Sequence, residues 1–251
     1  MIDVLDGKVA VVTGGGRGIG RAIAVGLAEA GADVAVIGRS LDALEDAARA
    51  VEATGRRGLA LAADLRELEG IPSLFERVRD ELGGLDVLVN SAGVQITGPS
   101  LDVTVEEWRT TIESNLTTLF FCCQAAARHF VGHGGGKIVN LGSTFSLVGF
   151  PGFAAYCASK GGVLQLTRTL AAEWAPLGIN VNAIGPTAIR TEMNAYLLDD
   201  PAFLETFVPK VPAGRVGDVS DVVGAAVFLA SSQSDFVHGH LLLVDGGYTA
   251  V

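Results

Sequence analysis

The strongest constraint on the fold lies near the start of the chain. Residues 8–13, KVAVVT, are apolar enough to be buried as a strand, and they run into Thr13-Gly14-Gly15-Gly16-Arg17-Gly18-Ile19-Gly20. A helical pattern over residues 19–30 follows, closed by Gly31. Glycines in such a turn admit positive φ and let backbone N–H groups approach a pyrophosphate at the helix N-terminus. The spacing departs from the commoner G-x-G-x-x-G string and reads Gly14-x-x-x-Gly18-x-Gly20. A lone glycine string is as often an unliganded turn; the strand before it and the helix after it favour the ligand.

The alternation continues to the end of the chain. Strand-like apolar runs recur at residues 33–37, 58–62, 86–89, 137–141, 179–183 and 241–244. Between them lie helical patterns, such as residues 41–54 with Leu41, Leu44, Ala47, Ala48 and Val51 at helical spacing. The longest helical stretches are 105–131, expected to divide into two helices, and 155–176. Strands apolar on both faces, each followed by a helix, make a parallel sheet covered on both sides. No repeat, low-complexity tract or linker interrupts the pattern. The expected fold is therefore α/β: one Rossmann-type domain over residues 1–251, a doubly wound parallel sheet of about seven strands with helices on both faces. The one long irregular stretch, 185–217, contains Pro186, Pro201, Pro209 and Pro212 and reads as a substrate lid.

Composition removes several function classes. The 18 basic residues against 28 acidic ones leave a net charge of −10, without the basic footprint that nucleic acid requires. Cys122, Cys123 and Cys157 form no C-x-x-C pair, which suits a reducing compartment. The N-terminus, Met1-Ile2-Asp3-Val4-Leu5-Asp6-Gly7-Lys8, has no apolar core of a signal peptide. The longest uncharged stretch, 138–159, carries Asn140, Gly142, Gly149, Pro151 and Gly152, which no membrane helix would keep together. A cytoplasmic protein without membrane partners is expected. His129-x-x-x-His133 has metal-ligand spacing but lacks a third ligand, and His238-x-His240 reads as structural, so no metal is expected.

Further segments resemble the classical short-chain dehydrogenase/reductase family. Beyond the T-G-x-x-x-G-x-G turn, Asn90-Ser91-Ala92-Gly93 follows the fourth strand as the family's N-x-A-G does. Ser143 follows the fifth strand, Tyr156-x-x-x-Lys160 lies thirteen positions on, and Asn115 stands in the preceding helical stretch. Asp245-Gly246-Gly247 extends the likeness to the C-terminus. Each motif is weak alone, whereas their order and spacing together are specific.

The catalytic candidates make chemical sense as residues. Tyr156 and Lys160, one helical turn apart, share a face. A phenol near pKa 10 is a poor base at neutrality, and a nearby ammonium would lower that value. The resemblance implies that Tyr156 is the general acid/base, that Lys160 lowers its pKa and holds the nicotinamide ribose, and that Ser143 binds the substrate oxygen. It assigns Asn115 to a backbone distortion and a water relay. Cys157 projects elsewhere around the helix, and no G-x-S-x-G elbow makes Ser143 a hydrolase nucleophile.

For the cofactor, the resemblance implies contacts from Gly14, Gly16, Arg17, Gly18, Ile19, Gly20, Asn90, Ala92, Gly93, Tyr156 and Lys160. Asp64 and Leu65 match the adenine position, although Asp64 also reads as a helix N-cap. No acidic residue ends the second strand to hold a ribose 2′-hydroxyl; Arg39 and Ser40 stand there, with Asp42 nearby. Together with Arg17 they favour the 2′-phosphate, so NADP(H) is expected as the preferred cofactor and NAD(H) as the lesser one. After the sixth strand, Gly185-Pro186-Thr187 replaces the usual Pro-Gly; Pro186, Ile189 and Thr191 remain cofactor candidates.

The substrate pocket is expected from residues 94–97, 144–153 and 185–212, with Gln95, Phe145, Leu147, Phe150, Phe153, Met193, Tyr196 and Leu197. Arg190 is its one candidate carboxylate clamp. The function read from this is hydride transfer between NADP(H) and a secondary alcohol or ketone of the sugar, polyol, sugar-acid or cyclic-alcohol type. One alternative is a 3-oxoacyl-[acyl-carrier-protein] reductase, for which Gly134 and Leu177 stand where docking arginines would be. A remoter one is a non-catalytic dinucleotide sensor, which would have no need of Asn115, Ser143, Tyr156 and Lys160 together. The resemblance also implies a homotetramer built on helices 105–131 and 155–176 and the last strand.

Overall fold

Seven parallel strands make one sheet in the order β3-β2-β1-β4-β5-β6-β7. They are β1 (Val9–Thr13), β2 (Asp33–Gly38), β3 (Gly58–Ala62), β4 (Val87–Asn90), β5 (Gly136–Leu141), β6 (Ile179–Pro186) and β7 (Leu241–Val244). The computed structural model describes residues 4–251, so the first three residues of the acidic N-terminus lie outside the described residues. The chain winds outward from β1 to β3, then returns across β1 to begin β4. At that reversal, between β1 and β4, the connections leave the sheet in opposite directions and open a crevice at the strand C-termini.

Strand alternation divides the core into two layers. Ala10, Val12, Val34 and Val36 face α1 (Gly18–Glu29), α2 (Leu41–Glu52) and α9 (Val219–Ala230). Val9, Val11, Ala35 and Ile37 face α3 (Ile71–Leu82), α5 (Thr118–Phe130) and α6 (Ala154–Trp174). This two-sided burial is why the strands read as continuous apolar runs. The long helical stretch does divide, into α4 (Val105–Ile112) and α5, joined by one π-helical turn, Glu113–Thr117.

One expectation fails. Residues 185–217 are not irregular throughout: β6 continues to Pro186, and α7 (Ala195–Leu198) and α8 (Pro201–Phe207) follow. Pro201 begins α8 instead of breaking a helix. The Asp200 carboxylate accepts from the Ala202 N–H at 2.9 Å, and a proline in the first helical turn has no N–H to leave unpaired.

Candidate active site

The glycine turn crosses the mouth of the crevice. Gly14 has φ +66°, and a Cβ there would come within 2.8 Å of the Ala92 backbone after β4. A Cβ on Gly20 would meet the Gly14 carbonyl oxygen at 2.3 Å, so the start of α1 lies directly on the turn. Neither position accepts a side chain without moving backbone, and the space they keep is the kind of cradle a pyrophosphate fills.

Two adjoining cavities occupy the crevice. The first, of about 610 Å³, is lined by Gly14, Gly16, Arg17, Arg39, Ser40, Asp64, Leu65, Ala92 and Gly93 among the expected cofactor residues. The second, of about 570 Å³, is lined by Gly14, Arg17, Gly18, Ile19, Gly20, Arg39, Ala92, Gly93, Pro186, Ile189 and Thr191, and also by Ser143, Tyr156 and Lys160. Arg17 and Arg39 border both, and no carboxylate pairs with Arg39 among the described residues; Asp42 leaves it free. Arg17 instead reaches Glu192 of the lid at 3.4 Å, an exposed and weak pair. The elongated space, the glycine cradle and the unpaired guanidinium fit a dinucleotide with an extra phosphate.

Asp64 caps no helix. Its carboxylate accepts two-pronged bonds from Arg66, which hold it down at about 2. Arg66 borders the first cavity and was not foreseen, because its place depends on how the loop after β3 folds back.

The catalytic candidates converge on one wall. Ser143, just past β5, is held by its own turn: its Oγ accepts from the Phe145 N–H at 3.1 Å. The neighbouring Ser143 hydroxyl lowers the Tyr156 pKa, but burial dominates and pushes Tyr156 up to about 12. Lys160 is not among the influences that set this value. The Lys160 ammonium lies 5.6 Å from the Tyr156 ring centroid and donates to the Leu141 carbonyl at 2.7 Å. Burial in turn brings Lys160 down to about 8.

Asn115 and Asn90 line neither cavity. Fully buried Asn115 sits in the π-helical turn, where its Oδ1 accepts from the Val94 N–H at 2.8 Å. Its Nδ2 donates to the Val94 carbonyl at 3.0 Å and to Ser159 Oγ at 3.1 Å, pinning the loop after β4 to α6. Asn90 is a sheet fastener: its Nδ2 donates to Asn140 Oδ1 at 3.0 Å across to β5. Thr187 needs no left-handed conformation, since no non-glycine residue has positive φ among those described.

Beside Ser143 and Tyr156 a recess is lined by Gln95, Phe145, Phe150, Phe153 and Leu197 as expected, and by Phe203 and Phe207, which were not. The two missed residues sit one turn apart on α8, the helix hidden behind Pro201. Arg190 is not part of that wall; it pairs with Asp199 at 3.0 Å. His129 and His133 stack at the end of α5, and among the described residues no cluster of three or more His, Cys, Asp or Glu could hold a metal. No described helix is long and apolar enough to cross a membrane.

Residues 14–249 match a family model described as enoyl-(acyl carrier protein) reductase. The chain is 44% identical over 247 residues to 2-dehydro-3-deoxy-D-gluconate 5-dehydrogenase of Escherichia coli K12, covering 98% of this chain and 97% of that protein. Among solved structures it superposes, at TM-score 0.95 and 40% identity, on a gluconate 5-dehydrogenase from Burkholderia cenocepacia J2315 in complex with NADP and tartrate. That match covers 98% of this chain and 97% of the other. A short-chain type dehydrogenase/reductase from Mycobacterium marinum gives TM-score 0.94 at 35% identity, covering 100% and 98%.

Proposed function

The chain belongs to the short-chain dehydrogenase/reductase family, and from that membership we propose that it is an NADP(H)-dependent oxidoreductase of secondary alcohols and their ketones, within the sugar, polyol, sugar-acid and cyclic-alcohol range. The observation that carries the reading is the meeting of Ser143, Tyr156 and Lys160 on one cavity wall that continues past the glycine turn to Arg17 and Arg39.

Bound NADP⁺ supplies the hydride acceptor, and NADPH the donor in reverse. Ser143 orients the substrate hydroxyl, and the Tyr156 phenolate takes its proton as hydride leaves the carbinol carbon with the C–H electron pair. One alcohol and one NADP⁺ give one carbonyl, one NADPH and one proton. Lys160 supplies positive charge beneath the phenol and a hold on ribose hydroxyls. Asn115 acts one layer back, on the loop and helix that place Tyr156 and on the proton's way out. Gly14, Gly16, Gly18, Ile19 and Gly20 take the pyrophosphate. Asp64 and Leu65 take the adenine, Arg17, Arg39 and Ser40 the 2′-phosphate, and Ala92, Gly93, Pro186, Ile189 and Thr191 the nicotinamide half. NAD(H) is the lesser cofactor.

We read residues 1–251 as one catalytic unit with residues 185–217 as its lid, acting in the cytoplasm as a homotetramer. Partly buried Phe120 and Phe121 on α5 and half-exposed Trp108 on α4 support that assembly. A monomeric mass by light scattering at micromolar concentration would refute it. Reduction of acyl groups on an acidic carrier protein is the less favoured reading, because exposed Leu177 and Gly134 offer no cation and the net charge is −10. The deciding experiment follows reduced-nicotinamide absorbance across polyols, sugar acids, cyclic alcohols and acetoacetyl thioesters with both cofactors. Turnover of secondary alcohols with NADP⁺ is expected; turnover confined to thioesters would reverse the preference.

A further inference from the structure

The recess beyond Ser143 and Tyr156 has a composition that narrows the substrate. Its free volume is about 70 Å³, and it shares Gln95, Ser143, Tyr156, Thr187 and Asn194 with the larger catalytic cavity. Phe145 stacks on Phe150 at 5.2 Å between centroids and meets Phe153 edge-on at 5.2 Å, while Phe203 stacks on Phe207 at 5.2 Å from the lid. No residue lining the recess is charged. The nearest cation by sequence, Arg190, is spent on Asp199 and on the Leu198 carbonyl, 3.3 Å from its Nη2.

Gln95 at the entrance is engaged with the lid. Gln95 Nε2 donates to the Tyr196 hydroxyl at 3.2 Å, and Thr97 Oγ1 lies 3.1 Å from the same oxygen, which ties the lid to the loop after β4. Exposed Met193 lines the larger cavity together with Gln95. A carboxylate entering the recess would leave water with no charged side chain in the recess lining to meet, in a chain whose net charge is −10. An uncharged ring would lose little solvation and would lie against aromatic faces.

We propose that the substrate is an uncharged cyclic secondary alcohol or its ketone, its ring held by Phe145, Phe150, Phe153 and Phe203 and its carbinol carbon presented to Ser143 and Tyr156. The inference rests on the oxidoreductase reading above and separates this chain from relatives named for gluconates. The carbinol C–H electron pair passes to NADP⁺ and the hydroxyl proton to Tyr156, giving ketone and NADPH.

The test is a matched pair of ketones, cyclohexanone and 5-keto-D-gluconate, each reduced with NADPH by the enzyme. We expect kcat/KM for cyclohexanone to be at least tenfold the higher, and Phe203→Arg, which places a cation in the recess, to lower that ratio at least tenfold. An equal or higher kcat/KM for the keto acid in the unmodified enzyme overturns the proposal and leaves the oxidoreductase reading standing. The proposal also falls if Phe203→Arg folds, binds NADPH and leaves the ratio unchanged. Inertness toward both ketones overturns it as well, and if every other carbonyl is inert too, the oxidoreductase reading falls with it.

Discussion

The ammonium of Lys160 stands 5.6 Å from the centroid of the Tyr156 ring and gives its hydrogen bond to the Leu141 carbonyl at the end of β5. The lysine is therefore fastened to the sheet, and burial is the largest influence on the phenol. With burial pushing Tyr156 up to about 12, the phenolate is scarce at neutral pH. Oxidation, which needs that phenolate, should accelerate as pH rises. Tyr156→Phe should cut kcat by roughly 10²–10⁴-fold, the range of a lost general acid or base, while dinucleotide affinity changes only a few-fold. A pH-independent oxidation rate, or full turnover by the phenylalanine variant, would remove Tyr156 from the chemistry.

Cofactor choice should turn on Arg39. Its guanidinium has no carboxylate partner among the described residues and borders both cavities. A charge-assisted bond to a phosphate contributes about 1.5–3 kcal/mol, so NADP(H) should be preferred about tenfold or more in kcat/KM. Arg39→Asp should invert the order, since a carboxylate repels the phosphate and accepts from a ribose hydroxyl. Equal or better kcat/KM with NAD⁺ in the unmodified enzyme would show that Arg39 does not read the 2′-phosphate.

The glycine turn should tolerate no Cβ at its helix end. Gly20→Ala places a methyl 2.3 Å from the Gly14 carbonyl oxygen, a backbone atom that cannot rotate away. The turn must open, and α1 must shift off it. We expect at least a tenfold loss of dinucleotide affinity by titration, with a lowered Tm. By contrast Gly70→Ala, with nothing within 4 Å of the new Cβ, should leave affinity unchanged.

What could be read in advance follows from the range of the interactions. The seven strands and the turn after β1 were legible because burial on both faces and glycine spacing are local signals. Lys160 was placed correctly on the Tyr156 face, yet the direction of its hydrogen bond depends on Leu141, nineteen positions away. Asn115 was read, from the resemblance, into a backbone distortion and a water relay; it sits in the π-helical turn, and its contacts to Val94 and Ser159, which no local pattern shows, are long-range. The lid was misread at Pro201, where the Asp200 cap turns an apparent breaker into a helix start. That one error hid α8 and with it Phe203 and Phe207.

Alkaline stability should be governed by buried groups that stay protonated. Burial raises Cys122 from the ordinary thiol value of 9.0 to about 12, raises Cys123 further, and raises Tyr156 from 10.0 to about 12. Once unfolded, each would ionise at its ordinary value, so above about pH 9 the native state holds more protons than the unfolded one. Stability then falls as pH rises. Lys160 works oppositely: its ammonium sits at about 8 against an ordinary 10.5, so between those values the unfolded chain holds the extra proton and stability rises with pH. The two contributions predict a Tm that rises between pH 8 and 9, where Lys160 acts alone, and declines from about pH 10 upward, where two thiols and a phenol outweigh one amine. Cys122→Ala removes one of the opposing groups, each worth about 1 kcal/mol per pH unit over its window. At this chain length that is roughly 2–4 °C of Tm per pH unit, so the variant's decline between pH 10 and 11 should be shallower by that amount. Melting curves recorded under reducing conditions would decide it: if variant and parent lose Tm in parallel, the buried thiol does not control the alkaline limit.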